Sequence, residues 1–477
     1  MLTQTRRAWT PHTSRLARPA GWIPPGLAVC LGVIYAFYSV QRHERLGSAG
    51  FDLGIFDQAI RSYSHLHGPI APLKGPGFNL LGDHFHPIIA TLTPFYWLWP
   101  DVRMLLVAQA VLLAVSAVPI GALALRRLGP VAGSAVTVAY GLSWGLQGAL
   151  GFDFHEIAFG VPLLAFSLTA LADRRWRAAV CWAAPLVLVK EDLGLTVSAI
   201  GIYLLLRGQR RLGLCVVAGG LAALAFVICV AIPCFSPSGH YRYWGYLSQG
   251  GGSDDGMLHN LVNLPVSLVE HPAKLTLLLF LLAVSGFAAL RSPLLVVAVP
   301  IVGYRLVSGN PLYWSTGPVH YNALLMPIVF VALVDGLCAL RSSQYDLVRR
   351  YAALVPAAAL VFALAVLPRF SLWALAHPGY YSVPRHAVAA EHVLAMIPDG
   401  ATVAAGDYLA PQITDRCTVY LFPDPSRRVA GWVVVDTHRL GSVHATPAQQ
   451  WADLQALPSQ GYRQIADRDG VVLYQRG

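Results

Sequence analysis

Apolar runs alternate with short, arginine-bearing breaks from residue 23 to residue 367. Several of the runs approach 20 residues, the length that crosses a hydrocarbon core of about 30 Å. The pattern predicts spans at 23–40, 104–125, 131–150, 157–172, 212–233, 275–290, 294–307, 321–340 and 352–367, with a pair of shorter runs at 178–189 and 193–206. Arginines orient them. Arg6, Arg7, Arg15 and Arg18 precede the first run. Arg126-Arg127, then Arg174, Arg175 and Arg177, then Arg207, Arg210 and Arg211, then Arg291, and finally Arg341, Arg349 and Arg350 fall at alternate breaks. Placing all of them on the cytoplasmic side gives a cytoplasmic N-terminus and outer loops at 42–103, 151–156 and 235–272. No small-residue cleavage site follows the first run, which reads as a retained span.

The short pair requires separate treatment. Lys190-Glu191-Asp192 lies between its two halves. A continuous helix would leave Arg207, Arg210 and Arg211 outside, against the charge rule, whereas a hairpin keeps them inside and sets the three charges at its outer tip. Twelve helical residues rise only about 18 Å, so the tip is expected at membrane depth. Counting the hairpin as two, the chain has about eleven spans. Residues 88–100 are apolar enough to lie in the membrane interface.

Beyond residue 368 the period changes. Helix at 384–396, strands at 401–405, 418–422 and 432–436, helix at 447–457, and a hairpin of 462–466 with 471–475 around Asp469-Gly470 describe a small α/β unit. The expected organisation is a mainly α, polytopic membrane domain over 1–368 and a soluble extracytoplasmic α/β domain over 369–477. The latter has no glycine-rich nucleotide fingerprint.

Composition agrees. The chain of 477 residues is 56% hydrophobic and 12% charged, against about 25% charged in soluble proteins. Basic residues outnumber acidic ones, 34 to 24, which loop topology explains without nucleic acid. Lysine occurs only at 74, 190 and 274, and the Arg-for-Lys bias suggests a GC-rich, bacterial genome. The 7 cysteines lie mostly inside apolar runs and form no CxxC, so neither a zinc site nor a disulfide framework is indicated.

The ionisable residues least at home in such a chain gather on one side of this topology. Asp52, Asp57, Asp83, His84 and His86 occupy the first outer loop; Asp153, His155 and Glu156 the second; Lys190, Glu191 and Asp192 the hairpin tip; Arg305, His320 and Tyr321 flank a later loop. Ionisable groups at membrane depth point to function. Sugar transfer from a polyprenyl phosphate needs a base for the acceptor hydroxyl and positive charge for the leaving phosphate. Asp52 supplies the first, and Lys190, His155 or Arg305 the second. Structural readings stand beside these. Asp52 also suits a helix cap. Asp57 suits a pair with Arg61. Asp153-Phe154-His155-Glu156 suits a metal cluster or a helix start. His320-Tyr321 suits an interfacial anchor.

Phe51-Asp52-Leu53-Gly54-Ile55-Phe56-Asp57-Gln58, Gly82-Asp83-His84-Phe85-His86-Pro87, Asp153-Phe154-His155, Lys190-Glu191-Asp192 and His320-Tyr321 together resemble the signature of a prokaryotic membrane-protein family grouped with the C-type glycosyltransferases (GT-C). The resemblance runs through Ile397-Pro398-Asp399-Gly400. It implies an outward-facing site, a polyprenyl-linked sugar donor and an essential acid in the first outer loop, matched by Asp52 first and Asp57 second. It also implies, in some members, a divalent cation (Mg or Mn) held by acids of the first two outer loops, matched here by Asp153 and Glu156. The tandem Asp-Glu or Asp-x-Asp of many relatives is missing from the first loop.

The expectation is therefore an integral glycosyltransferase of the inner (cytoplasmic) membrane. Asp52 serves as base, and His84, His86, His155, Lys190, Glu191, Arg305, His320 and Tyr321 contact substrate. The acceptor is a hydroxyl of a glycan, lipid or protein, and membrane lipids surround the spans. A transporter or flippase of a lipid-linked solute, and a non-catalytic envelope scaffold, are the alternatives.

Overall fold

A computed structural model describes residues 21–244, 260–423 and 430–477. The arginine-rich first 20 residues, which carried part of the orientation argument, lie outside the described residues, as does the glycine-rich stretch 250–256.

Among the described residues, five helices are long and apolar enough to cross a bilayer: Ile23–Glu44, Arg103–Leu128, Arg210–Phe235, His320–Arg341 and Asp346–Arg369. A sixth span arises if Leu264–Glu270 and Pro272–Ala283, bent by 94°, count as one. Shorter apolar helices make up the rest: Pro87–Leu98, Ile157–Ala172, Trp176–Leu188, Leu193–Leu206 and Pro293–Val307. The chain is thus mainly helical and polytopic. Hydropathy reports the length of an apolar run, not whether its axis is straight. The run at 131–150 shows the difference: Pro130–Gly141 stops, Ser143 turns extended at ψ 141°, and Trp144–Leu150 resumes.

Arg103–Leu128 and His320–Arg341 are mostly buried, while Ile23–Glu44, Arg210–Phe235 and Asp346–Arg369 turn most of their surface outward. Their outward residues are apolar, among them Val29, Val33, Leu214, Phe226, Leu354 and Val361. In water that surface would be unfavourable; in lipid it is the expected lining. Pro87–Leu98 and the Trp99 that follows it likewise expose Phe95, Trp97, Leu98 and Trp99, a largely aromatic ridge of the kind that settles at headgroup level.

The helical part has two polar ends. At one, Arg126 and Arg127 bind Asp173 at 2.6 and 3.2 Å, Arg127 reaches Asp335 at 3.4 Å, and Ser292 donates to Asp335 at 2.7 Å. At the other lie the loops and the C-terminal unit.

That unit is a five-stranded sheet ordered β2-β1-β3-β5-β4. Its strands are β1 Thr402–Ala405, β2 Thr418–Leu421, β3 Trp432–Asp436, β4 Tyr462–Arg468 and β5 Val471–Arg476. β1 pairs in parallel with β2 and β3, and β5 joins antiparallel to β3 and β4. Alternate residues serve two cores. Val403, Ala405, Val434, Val471 and Leu473 face a core shared with Leu53, Phe56, Ile60, Leu73, Ile89 and Leu105 of the first loop and second span, and with helix Arg385–Leu394. Ala404, Val433, Val435, Val472 and Tyr474 face Leu454 and Leu457. The first loop is therefore folded onto the sheet, not draped over the membrane. Residues 370–380 hold to the helices instead: Phe370 and Leu372 enter the helical core, Ser371 Oγ donates to Gln147 O at 2.7 Å, and Tyr380 OH donates to Tyr38 O at 2.8 Å.

Gly82 marks the tightest approach in this arrangement. A Cβ there would lie 2.4 Å from the Phe235 backbone, so the His-rich turn can rest on the end of Arg210–Phe235 only with glycine. Gly82→Ala is expected to destabilise the protein by about 1–3 kcal/mol, seen as a lowered midpoint of thermal unfolding in detergent. Gly303→Ala, whose Cβ meets nothing within 4 Å in helix Val299–Val307, is expected to unfold at or above the parent temperature; equal midpoints for both variants would refute the steric argument.

Candidate functional site

Asp52 sits in a single π-helical turn, Gly50–Gly54, that opens into helix Ile55–Ser64. Such turns are uncommon and recur at functional positions. Asp407, one residue past the Gly406 that follows β1, holds this one from outside. Its carbonyl accepts Gly50 N–H at 2.7 Å and its carboxylate accepts Phe51 N–H at 3.0 Å. A Cβ on Gly50 would meet Ala410 Cβ at 2.7 Å, so the close approach of sheet and loop again rests on glycine.

Asp153 anchors the same segment from below. It forms an ion pair with Arg42 at the end of the first helix and accepts Ala49 N–H at 3.0 Å. Gln109 fixes the turn behind it, donating to Asp153 O at 2.7 Å and accepting His155 N–H at 3.0 Å. Asp153 adopts φ 89°, a left-handed conformation that short polar side chains such as Asp and Asn tolerate best.

Above these anchors opens a cavity of about 620 Å³. Asp52, His84, His86, His155, Glu156, Lys190, Glu191, Arg305, His320 and Tyr321 all line it. Residues separated by more than 250 positions in sequence, from Asp52 to Tyr321, thus share one space. Asp57 and Asp153 do not line it. Asp57 faces away, fully buried with both carboxylate oxygens free of hydrogen bonds, beside Tyr96, Thr414 and Asp415. It lies five residues past Asp52, and a helix turns about 100° per residue, so the two carboxylates diverge. Arg61, its expected partner, instead donates to Thr414 O and Cys417 O at 3.0 and 2.7 Å.

Most charges in the cavity are already paired. Lys190 donates to Glu156 at 3.1 Å, and His155 Nδ1 lies 2.6 Å from the other Glu156 oxygen, off the hydrogen-bond direction. His84 Nδ1 and Glu191 Oε1 are 2.7 Å apart, Phe85 N–H reaches Glu191 Oε2 at 3.3 Å, and Tyr241 OH donates to Glu191 Oε1 at 3.1 Å. Lys74 pairs with Asp83, which also accepts Tyr243 OH at 2.7 Å. His155 stacks on His320 with centroids 3.7 Å apart.

Three groups stand apart. Arg305, 3% exposed, donates to Tyr313 O at 2.6 Å and Asn322 Oδ1 at 2.7 Å, and meets no carboxylate among the described residues. Asp192, exposed in the lining, makes no side-chain hydrogen bond or ion pair among the described residues, and neither does Asp52. Burial first, and then the negative charges of Asp153, Asp407 and Glu156 against the weaker pull of Lys74, push the Asp52 carboxyl up to about 7. Burial also lowers the His86 imidazole to about 4 and holds the His155 imidazole below its usual range. The cavity therefore offers neutral imidazoles beside two unspent carboxyl groups, Asp52 and Asp192, and one unspent guanidinium.

The expected cation at Asp153 and Glu156 does not fit this arrangement. Each carboxylate already carries a cationic side chain of the chain itself, Arg42 on one and Lys190 on the other, and the two do not belong to a common set of potential ligands among the described residues. Lys74, Tyr304 and Tyr313 also line the cavity without having been expected there, and Asp407 beside it was equally unexpected, whereas Tyr241 and Tyr243 belong to the aromatic run at 241–246 that reads in the sequence as an interfacial anchor or part of an acceptor groove. Rare lysine was the one signal that marked Lys74; tyrosines in a chain with 20 of them carry none.

A family model described as Predicted membrane protein (DUF2079) matches residues 42–473. No curated protein matches the chain. Among solved structures, the crystal structure of ArnT from Cupriavidus metallidurans bound to undecaprenyl phosphate is similar with TM-score 0.57 at 14% identity, covering 95% of this chain and 98% of that one. At that identity the likeness concerns the fold, which is the GT-C-like fold expected from the sequence.

Asp153→Asn keeps a residue suited to φ 89° and removes only the charge. Leaving Arg42 without its partner is expected to cost roughly 3 kcal/mol, the low end for a broken buried pair because Arg42 is partly open. In a thermal-unfolding cycle with Arg42→Gln the two losses should be strongly non-additive; simple additivity would show that the pair does not couple.

Proposed function

The chain belongs to the DUF2079 family of predicted membrane proteins, and we propose that it is a glycosyltransferase taking sugar from a polyprenyl-phosphate donor to a hydroxyl acceptor on the outer face of the bacterial inner membrane. The observation that carries this reading is the pairing state of the cavity: its lining includes one unpaired carboxyl group with a pKa of about 7 and one buried arginine with no acidic partner. ArnT, of similar fold, has been crystallised bound to undecaprenyl phosphate, which supports a polyprenyl phosphate as the lipid partner here.

In this scheme the acceptor hydroxyl attacks the anomeric carbon, its proton passes to the Asp52 carboxylate, and the bond from that carbon to the phosphate oxygen breaks. Polyprenyl phosphate leaves with the electron pair. Arg305 and Lys190 hold the phosphate. Arg305 brings the whole of its charge, whereas Lys190 shares its own with Glu156. His86, His155 and His320 donate or accept hydrogen bonds without adding charge, and Glu191 sets His84 and Tyr241 in place. The chain divides, in this proposal, into a membrane unit over 1–368 and an outer unit over 369–477 that covers the cavity and helps select acceptor. No step passes through a metal.

The test is purified protein in proteoliposomes with radiolabelled polyprenyl-phosphate sugars and candidate acceptors. Labelled product is expected from the parent, and Asp52→Asn should lower turnover by about 10²–10⁴ while unfolding at a similar temperature. Label that crosses the bilayer with no new glycosidic bond would replace the transferase with a transporter. The pH profile gives a second check. Asp52 is protonated below about 7, so turnover should rise with pH through that value and then level off. The same shift makes the ionised form unfavourable in the folded state, so the Asp52 contribution to stability falls as pH climbs from about 4 to 7. A flat profile between 5 and 8 in the parent (~3 pH units about that pKa) would remove Asp52 as the base.

Arg305→Lys keeps the charge but loses the planar fork that bonds Tyr313 and Asn322. It is expected to raise the donor KM clearly while Asp52 still sets the pH dependence of turnover. An unchanged donor KM in both Arg305→Lys and Arg305→Ala would dissociate this arginine from phosphate binding.

A further inference from the structure

Away from the cavity, three parts of the C-terminal unit converge on one point. His386 lies in the first turn of helix Arg385–Leu394, His438 in the turn just after β3, and Asp469 in the β4–β5 hairpin turn. The potential ligand atoms of these three side chains all lie within 4.8 Å of one another.

We propose that His386, His438 and Asp469 form a binding site for a divalent transition-metal ion of the zinc class. Two imidazoles and a carboxylate are borderline donors, which suit Zn²⁺, Co²⁺ or Ni²⁺ and not the all-oxygen preference of Mg²⁺ or Ca²⁺. Three protein ligands leave positions for water or an anionic group.

The supporting shell makes this more than three polar side chains in proximity. His386 Nδ1 lies 3.1 Å from Asp469 Oδ2, on the side of the cluster, while Nε2 lies 2.9 Å from Asp436 Oδ2. Asp436 is 3% exposed. A buried carboxylate on the far nitrogen fixes the tautomer and leaves Nδ1 free to ligate, the usual second contact of a metal-bound histidine. Asp436 also accepts the His438 N–H at 2.9 Å, so one carboxylate orients one ligand and folds the turn that carries another. The two turns are tied together, because Thr437 donates to Gly470 O through both N–H and Oγ1, at 2.9 and 2.8 Å. Gly470 has φ 78°, and a Cβ there would lie 2.6 Å from His438 Nε2, so glycine makes room for the imidazole.

The position gives the ion a consequence. It lies at the C-terminal end of β3, the end at which parallel β1 leads to Asp407 and hence to the Asp52 turn. Arg439, next to His438, donates to Leu46 O at 2.6 Å. A bound ion would pin helix Arg385–Leu394 and the β4–β5 hairpin to β3, and so stiffen the edge of the sheet that holds the first outer loop.

The test uses full-length protein in detergent, purified through a tag without histidine and stripped with EDTA. Titration with ZnCl₂ by calorimetry should show one strong site that MgCl₂ does not fill, with a rise in unfolding temperature. Co²⁺ should give a visible d–d spectrum. His438→Ala and Asp469→Asn, which keeps a residue suited to φ 49°, should abolish that site and the thermal shift while leaving the EDTA-treated unfolding temperature near the parent value. Asp436→Asn should weaken binding roughly 10–100-fold. His377→Ala, an exposed histidine whose ring lies 3.1 Å from Trp373 O, should bind as the parent does. Equal, weak Zn²⁺ binding by the parent, His438→Ala and Asp469→Asn would overturn the proposal, and would leave the reading of the Asp52 cavity untouched.

Discussion

The Asp153 carboxylate is the constraint on which the rest of the outer end depends. A buried charge must be paired, and this one is paired to two things at once: the guanidinium at the end of the first span and the backbone just before the Asp52 turn. The helix, the loop and the segment 151–156 are thereby brought to one point. Asp407 completes the hold from the sheet. Asp52 is then free to lack a partner, because its backbone is secured on both sides without any contribution from its own carboxylate.

Charge pairing also separates the acids and bases of the cavity into those that build it and those left over. Glu156 is satisfied by Lys190, Glu191 by His84 and Tyr241, Asp83 by Lys74 and Tyr243. Against that background the isolated carboxyl group of Asp52 and the isolated guanidinium of Arg305 hold reactive character that a more heavily paired group would lose. Burial and the neighbouring carboxylates of Asp153, Asp407 and Glu156 raise the Asp52 pKa, while Arg305 is buried with no acid beside it among the described residues.

The C-terminal unit is part of the site's construction and not an appendage. One face of its sheet shares a core with the first outer loop, and the ends of its parallel strands meet the Asp52 turn. Open α/β sheets commonly place chemistry at the carboxyl ends of their strands. Here that edge presents Asp407 to the loop and His438 to the proposed metal site, so the sheet's functional end and the membrane cavity's rim are neighbours along the chain's own contacts.

Much of this was legible along the chain. Apolar run length gave the helical, polytopic class, and short apolar runs with the Asp469-Gly470 turn gave all five strands and their hairpin, because both signals are local. The sequence also singled out twelve residues that line the cavity, since charge and imidazole are costly in so apolar a chain wherever they fall. It could not distinguish Asp52 from Asp57, or an ion pair from a metal ligand at Asp153 and Glu156. Those distinctions depend on which way a helix face turns and which cation arrives from elsewhere, as Arg42 and Lys190 do from positions 111 and 34 residues away. Composition determines that charges must be compensated near a membrane; only the tertiary structure decides by what, because pairing is a property of distance in space.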